Sequence, residues 1–159
     1  MNAPFNGGLA FGASWKGLAL DVNLTYSAGK YLLNNDRFFT ENTSRGFIST
    51  NKSRKLLDAW TEDNRDTDVP KFGEALKFDS RLIEKASYIR LKDVRLSYSL
   101  PSEWFEKIGL ISGVRVYVTG RNLLTLTPYS GFDPESASNL SLNQYPNTRQ
   151  YVGGLQVTF

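Results

Sequence analysis

Four carboxylates crowd one short polar stretch, Glu62, Asp63, Asp66 and Asp68, and clustered carboxylate oxygens are what a hard cation such as Ca²⁺ selects. The spacing and central glycine of an EF-hand loop are absent, so a solvated loop is the better reading. Gly7, Gly8 and Gly12 are not followed by a helix and make no dinucleotide fingerprint; glycines in a strand mark bulges or close packing. Asn-x-Ser/Thr triplets at Asn23, Asn42, Asn51 and Asn139 are as consistent with ordinary strand and loop sequence, and Asn23 falls mid-strand. The chain has no histidine and no cysteine. That removes the commonest general base and metal ligand, the Ser-His and Cys-His nucleophile pairs, and any disulfide framework. No catalytic residue, cofactor or metal ligand is expected, and the chain does not read as an enzyme. A hydrolase built on the acidic loop would lack a persuasive carboxylate pair. The chemistry left is recognition. Trp60, Tyr129 and Phe132 stand in polar segments where a ring could stack on a sugar or a peptide side chain. Arg115, Tyr117 and Arg121 hold the polar phase of a strand. The plainer role for Trp60 is to anchor a short helix in its loop, and for the inward polar residues to hydrogen-bond within a wall.

The elements that must position these groups follow from composition and period. Of 159 residues 40% are hydrophobic, and the net charge is only +3. Lys and Arg are scattered among Asp and Glu without a stripe, which argues against nucleic acid as a partner. No apolar run approaches the roughly eighteen residues of a membrane-spanning helix. A β-barrel remains open, because its strands alternate lipid-facing apolar with lumen-facing polar residues and so have the average hydropathy of a soluble protein.

Leu18, Leu20, Val22, Leu24 and Tyr26 alternate with Ala19, Asp21, Asn23, Thr25 and Ser27, a period of two that specifies a half-buried strand. Phe5, Leu9, Phe11, Ala13 and Trp15 alternate before them, and Lys16-Gly17 supplies a tight turn, so residues 4–28 are predicted to form a hairpin. Residues 29–84 lose the alternation and read as one long loop with a short helix near 53–60. A strand follows at 86–100. Its apolar phase switches between Leu91 and Val94, which predicts a bulge near Lys92-Asp93. Further strands are expected at 113–126 and 150–159, separated from what precedes them by segments 102–112 and 127–148. The fold class is therefore all-β, about five antiparallel up-and-down strands with two long loops.

Placing the final Phe159 at the periplasmic rim of a bacterial barrel puts Lys16-Gly17 and 102–112 on one side and the long segments 29–84 and 127–148 on the other. Short turns inside and long loops outside is the asymmetry of outer-membrane barrels. Trp15, Tyr98, Trp104, Phe105 and Phe159 then fall at the periplasmic level, and Tyr26 and Tyr151 at the outer level. Interfacial aromatic girdles have this form. The alternating end Tyr151, Leu155, Val157, Phe159 is similar to the signal read by barrel-assembly machinery.

The residues also carry a family resemblance. Asp58-Ala59-Trp60-Thr61-Glu62-Asp63-Asn64, the run from Ala86-Ser87-Tyr88-Ile89-Arg90 to Leu100-Pro101, Val114 to Thr125 with its Gly120-Arg121-Asn122-Leu123, and Tyr129-Ser130-Gly131-Phe132-Asp133-Pro134-Glu135 resemble SusC/RagA-type TonB-dependent transporters in order and spacing. The resemblance implies the C-terminal end of a large transmembrane β-barrel of about 22 strands with an N-terminal plug domain, in the outer membrane of a Gram-negative bacterium. It also implies energy from the TonB complex, a SusD-like lipoprotein as a lid, and an oligosaccharide or peptide substrate. No plug domain is expected within residues 1–159. Met1 leads into a strand pattern rather than a signal peptide, so the export signal is expected on a longer parent chain unless the product is truncated. Closure takes at least about eight strands, so five are expected to be a piece of the wall. The competing reading is a soluble antiparallel β-domain that binds carbohydrate through loop aromatics and has a two-layer core.

Overall fold

The computed structural model describes residues 3–47, 49–105, 109–141 and 145–159. In chain order the strands are β1 (Phe5–Trp15), β2 (Leu18–Ala28), β3 (Tyr31–Asn34), β4 (Ile83–Lys85), β5 (Tyr88–Ser99), β6 (Gly113–Leu126), β7 (Leu140–Ser141) and β8 (Gln150–Thr158), with one helix, α1 (Asn35–Glu41). They divide into two units. A strand unit comprises Ala3–Gly29, Ser87–Pro128 and Pro146–Phe159; an insert unit comprises Lys30–Ala86 and Tyr129–Tyr145.

The strand unit is one five-stranded sheet in the order β1-β2-β5-β6-β8, every pair antiparallel. Directly paired residues point to the same face, so the register sorts the side chains. One row runs Trp15, Leu18, Tyr98, Val116, Leu155, and the next Ala13, Leu20, Leu96, Val118, Gly153. Beyond these come Phe11, Val22, Val94, Gly120, Tyr151 and then Leu9, Leu24, Leu91, Leu124. The whole face is apolar and much of it is bare, with Leu9 63%, Trp15 70% and Leu155 63% exposed. Asp21, Asn23, Arg95, Thr119 and Arg121 lie on the other face.

The bulge in β5 makes this sorting possible. Leu91 and Val94 are three positions apart and would face opposite ways in a regular strand. Between Leu91 and Asp93 the ladders to β2 and β6 both slip, and Lys92 falls outside both registers. The extra residue restores Leu91, Val94, Leu96 and Tyr98 to one face. On β6 the slip skips Asn122 and Leu123, and Asn122 takes a left-handed φ of 51°.

The β1–β2 turn puts Lys16 at φ 46° and Gly17 at φ 84°, the left-handed pair that matches the twist of a two-residue hairpin. Gly17 is constrained twice over, since an added Cβ would stand 2.8 Å from the Ser99 carbonyl oxygen. The Gly17 carbonyl in turn accepts a 2.8 Å hydrogen bond from the Ser99 amide, joining the turn to β5.

The stretch 29–84, read from sequence as a long loop, carries structure of its own. The insert unit has a small sheet in the order β4-β3-β7, antiparallel between β3 and β4 and parallel between β3 and β7. Helix α1 follows β3 directly. The short helix expected near 53–60 is a 3-10 turn over Arg54–Asp58, capped by the Ser53 side chain accepting from the Lys55 amide. Leu57 within it is exposed. Leu32, Ala86 and Tyr129 form the apolar centre of the unit, and Leu82 is also buried.

Gly17→Ala is expected to destabilise the strand unit by about 1–3 kcal/mol, the cost of forcing a side chain into a left-handed, crowded position. Gly46→Ala, whose Cβ would meet nothing within 4 Å, should stay within roughly 0.5 kcal/mol of wild type. Denaturant midpoints of the two variants check the contrast.

Candidate functional site

The polar face of the strand unit is a ladder of paired charges. Asp21 lies opposite Arg95 across β2–β5, and Asp93 opposite Arg121 across β5–β6. The second pair closes to 3.3 Å between Arg121 Nε and Asp93 Oδ1. The Arg95 guanidinium lies 4.2 Å from the ring centroid of Tyr117, a cation–π distance. On the same face Arg115 Nε donates to Ser99 Oγ at 3.0 Å. Opposite Thr25, Asn23 and Asp21 the neighbouring β1 contributes only Gly8, Ala10 and Gly12, and the missing side chains leave a concavity of about 550 Å³ with Asp21, Asp93, Arg95 and Arg121 among its lining.

The Tyr117 ring is laid flat by its partner. It stands directly opposite Gly154 on β8, and any side chain there would overlap the ring. Tyr26 and Gly7 repeat the arrangement on β1–β2: a Cβ at Gly7 would fall 2.7 Å from the Tyr26 ring. A tyrosine covering a glycine on a flanking strand restores packing that the glycine lacks.

The insert unit is organised around one carboxylate. Glu84 on β4 accepts from the Ser130 amide at 2.9 Å and the Ser130 hydroxyl at 2.8 Å. Asn34 Nδ2 at 3.2 Å and Arg37 Nη1 at 3.0 Å complete its shell. Arg37 also forms a two-bond fork with Glu41, Nε to Oε1 at 2.8 Å and Nη2 to Oε2 at 3.0 Å. Burial pushes the Glu84 carboxyl upward, but the Ser130 donors and Arg37 outweigh it and hold the group below its ordinary value. The Glu41 hydrogen bonds, helped by Glu84, keep Arg37 protonated against the opposing effect of burial. At the base of β3, Lys30 Nζ donates to the carbonyls of Pro134 and Ser136, both at 2.7 Å. Burial lowers its pKa, and Glu135 and Asp133 partly offset that.

The residues predicted to face substrate separate between the two units. Arg115, Tyr117 and Arg121 share the polar sheet face. Trp60, Tyr129 and Phe132 belong to the insert. Tyr129 is 6% exposed, and its hydroxyl donates to Ser141 Oγ at 2.7 Å, so it packs the insert rather than presenting a ring. Phe132 is 69% exposed beside a concavity that includes Arg37, Lys55 and Ser130. Trp60 is half-buried in a different concavity with Asp68, Lys71, Glu74 and Arg81. Sequence reasoning passed over Arg95, Asp93 and the Glu84 centre. The phase switch at Lys92 was the signal for the first two, since it carries Arg95 and Asp93 to the polar face. Among the described residues no group of three or more acidic residues is placed to hold a metal ion.

No family model matches the chain. TonB-dependent receptor P3 of Formosa agariphila is 38% identical over 127 residues, 72% of this chain and 13% of the relative. TonB-dependent receptor SusC of Bacteroides thetaiotaomicron is 34% identical over 77 residues, 48% of this chain and 8% of the relative. Among solved structures, that of the RagAB peptide transporter superposes with a TM-score of 0.92 at 52% identity, covering 99% of this chain and 17% of that one. The chain belongs to the SusC/RagA-type TonB-dependent receptors. The RagAB peptide importer in its closed-closed state matches equally well, with a TM-score of 0.91 at 52% identity. This SusC/RagA-type chain spans about an eighth of the first curated relatives it matches, and its open antiparallel sheet is a section of such a receptor's β-barrel. These relatives favour the barrel section over the soluble β-domain, and Leu9, Phe11, Trp15 and Leu155 on the apolar face are each at least 60% exposed.

Glu84→Gln is expected to loosen the insert by roughly 1.5–3 kcal/mol, the range for hydrogen bonds to a charged group. Because folding lowers the Glu84 pKa, its contribution is fully present above the ordinary value of 4.5 and is lost as pH falls through the lower folded value. Amide exchange at Ser130 checks both: protection should drop in the variant at neutral pH, and in wild type only under acid conditions.

Proposed function

We propose that the chain is the C-terminal section of the barrel of an outer-membrane importer, supplying wall and external loops to a TonB-dependent receptor that takes up oligosaccharides or peptides. Peptides are favoured by the 52% identity to the RagAB peptide transporter over 99% of the chain. The single observation that carries the reading is the five-strand sheet with one uninterrupted, uncovered apolar face and one face of paired charges. In water such an apolar surface is a liability; in a bilayer it is what a barrel wall must present to lipid.

On this reading the apolar rows face hydrocarbon and Arg115, Tyr117 and Arg121 face the lumen. Trp15 and Tyr98 share a cross-strand row and mark the periplasmic interface, where Lys16-Gly17 turns. The alternating end Tyr151, Leu155, Val157, Phe159 engages the barrel-assembly machinery. The outer edges of β1 and β8 pair with the remainder of the barrel, since each unpaired backbone group in lipid costs several kcal/mol. The plug domain, the SusD-like lipoprotein lid and the TonB complex are the remaining partners. Transport is the work of that whole assembly and needs no bond-making chemistry from these residues. Trp60 and Phe132 contact substrate from the outer loops.

Fractionation with mass spectrometry, followed by uptake, tests this. Peptides from residues 1–159 should appear in the outer-membrane fraction from a protein several times longer, and uptake of a labelled peptide mixture should stop when the proton gradient is collapsed. A stand-alone product in the soluble fraction, or uptake indifferent to the gradient, would overturn it.

A further inference from the structure

We propose that the concavity around Trp60 is a subsite for a ring-bearing residue of a peptide, aromatic or proline, laid flat on the indole with its main chain between carboxylates and an ammonium. This rests on the peptide-importer reading above and adds a residue preference to it.

The loop that carries Trp60 is built in advance. Its backbone closes through the Trp60 amide donating to the Val69 carbonyl at 3.0 Å. Asp58 binds the interior, its carboxylate accepting from Asn64 Nδ2 at 3.0 Å and its carbonyl from Thr67 Oγ1 at 2.7 Å. The Asn64 amide donates to Thr61 Oγ1 at 3.0 Å. A loop held by its own side chains positions a ring without an ordering cost at binding.

The concavity measures about 400 Å³, and Trp60, Asp68, Pro70, Lys71, Glu74 and Arg81 are among its lining. That lies at the lower end of small-ligand sites, about 300–1,000 Å³. Arg81 belongs to the wall: Nη2 reaches Asp79 at 2.7 Å and Nη1 donates to the Asp68 carbonyl at 2.6 Å. Among the described residues the side chains of Asp68, Lys71 and Glu74 have no hydrogen-bond or ion-pair partner. All three are exposed and within reach of a ligand in the concavity.

The chemistry of that rim identifies the ligand class. Two carboxylates that only accept, Asp68 and Glu74, stand with one ammonium that only donates, Lys71, because Arg81 is already matched by Asp79. An anionic ligand is disfavoured there. A peptide unit fits, since each residue offers one N–H donor and one carbonyl acceptor. The indole with Pro70 beside it adds a flat apolar floor on which a ring gains more than a small side chain.

The full-length receptor in detergent, with the probe peptides Ala-Ala-Phe-Ala-Ala and Ala-Ala-Ser-Ala-Ala, tests this by calorimetry. Wild type should prefer the Phe peptide, and Trp60→Ala should lose that preference by roughly two- to tenfold, while Trp60→Phe keeps most of it. Asp68→Asn with Glu74→Gln should weaken both peptides alike. The ratio between peptides is the readout, because a general loss of folding lowers both affinities without changing it. Wild type that binds both peptides while Trp60→Ala leaves the ratio unchanged overturns the subsite alone. Wild type that binds neither overturns the peptide-importer reading together with the subsite. Loss in Trp60→Ala of binding to maltopentaose, with both peptides unaffected, assigns the floor to sugar and overturns the peptide assignment.

Discussion

Cross-strand register is the constraint on which the strand unit depends. A side-chain period of two means that a one-residue slip would carry an entire strand's apolar set to the wrong face. With four strand pairs in series, an error in any strand would break the face into stripes. The sequence of β5 would make such an error if the strand were regular, because its apolar residues change parity between Leu91 and Val94. The bulge at Lys92 corrects the parity and does so against both neighbours at once. It is therefore a requirement of the fold.

The insert unit is stabilised by other means. Its strands are short, and its buried apolar residues are few, chiefly Leu32, Leu82, Ala86 and Tyr129. Buried alongside them are Asn34, Glu41, Asn42 and Ser141, so much of the interior is polar. Such an interior is stable only when its groups are satisfied. Glu84 and Arg37 accomplish this by sharing partners: β3, α1, β4 and the segment at Ser130 all meet through two side chains. Lys30 performs the same service for the turn at Pro134–Ser136. Loop segments far apart in sequence are thus joined by charge-assisted hydrogen bonds, which are directional and stronger than neutral ones.

How legible each part was in the sequence follows from this difference. The antiparallel strands of the barrel section could be read because alternation over some ten residues is a strong signal, and the switch at Leu91–Val94 announced its own bulge. The sheet of β3, β4 and β7 could not. Strands of two to four residues are too short to show a period, and the parallel pairing of Leu33 with Leu140 joins distant segments. Trp60, Tyr129 and Phe132 were picked out alike as rings in polar surroundings. That cue carries no information on tertiary packing, which buries Tyr129 and leaves Phe132 exposed. The Glu84 centre gave no local cue, because its partners lie up to 50 residues away in the chain.

The polar face shows how packing and electrostatics are tied together in the strand unit. Arg95 is oriented by stacking on Tyr117, and Tyr117 lies flat only because Gly154 opposite it has no side chain. A glycine on a flanking strand therefore governs the position of a guanidinium two strands away. The same dependence couples the charge pattern of the wall to correct pairing of β8: a slip of two residues would bring Val152 or Gln156 against the tyrosine ring instead of Gly154, and a slip of one in one direction Leu155. A slip of one in the other direction brings Gly153 and would still spare the ring, but it would turn Tyr151, Leu155 and Val157 to the polar face. The ring and the apolar alternation together thus admit a single register, and it is that register which holds Arg95 between Asp21 and Tyr117.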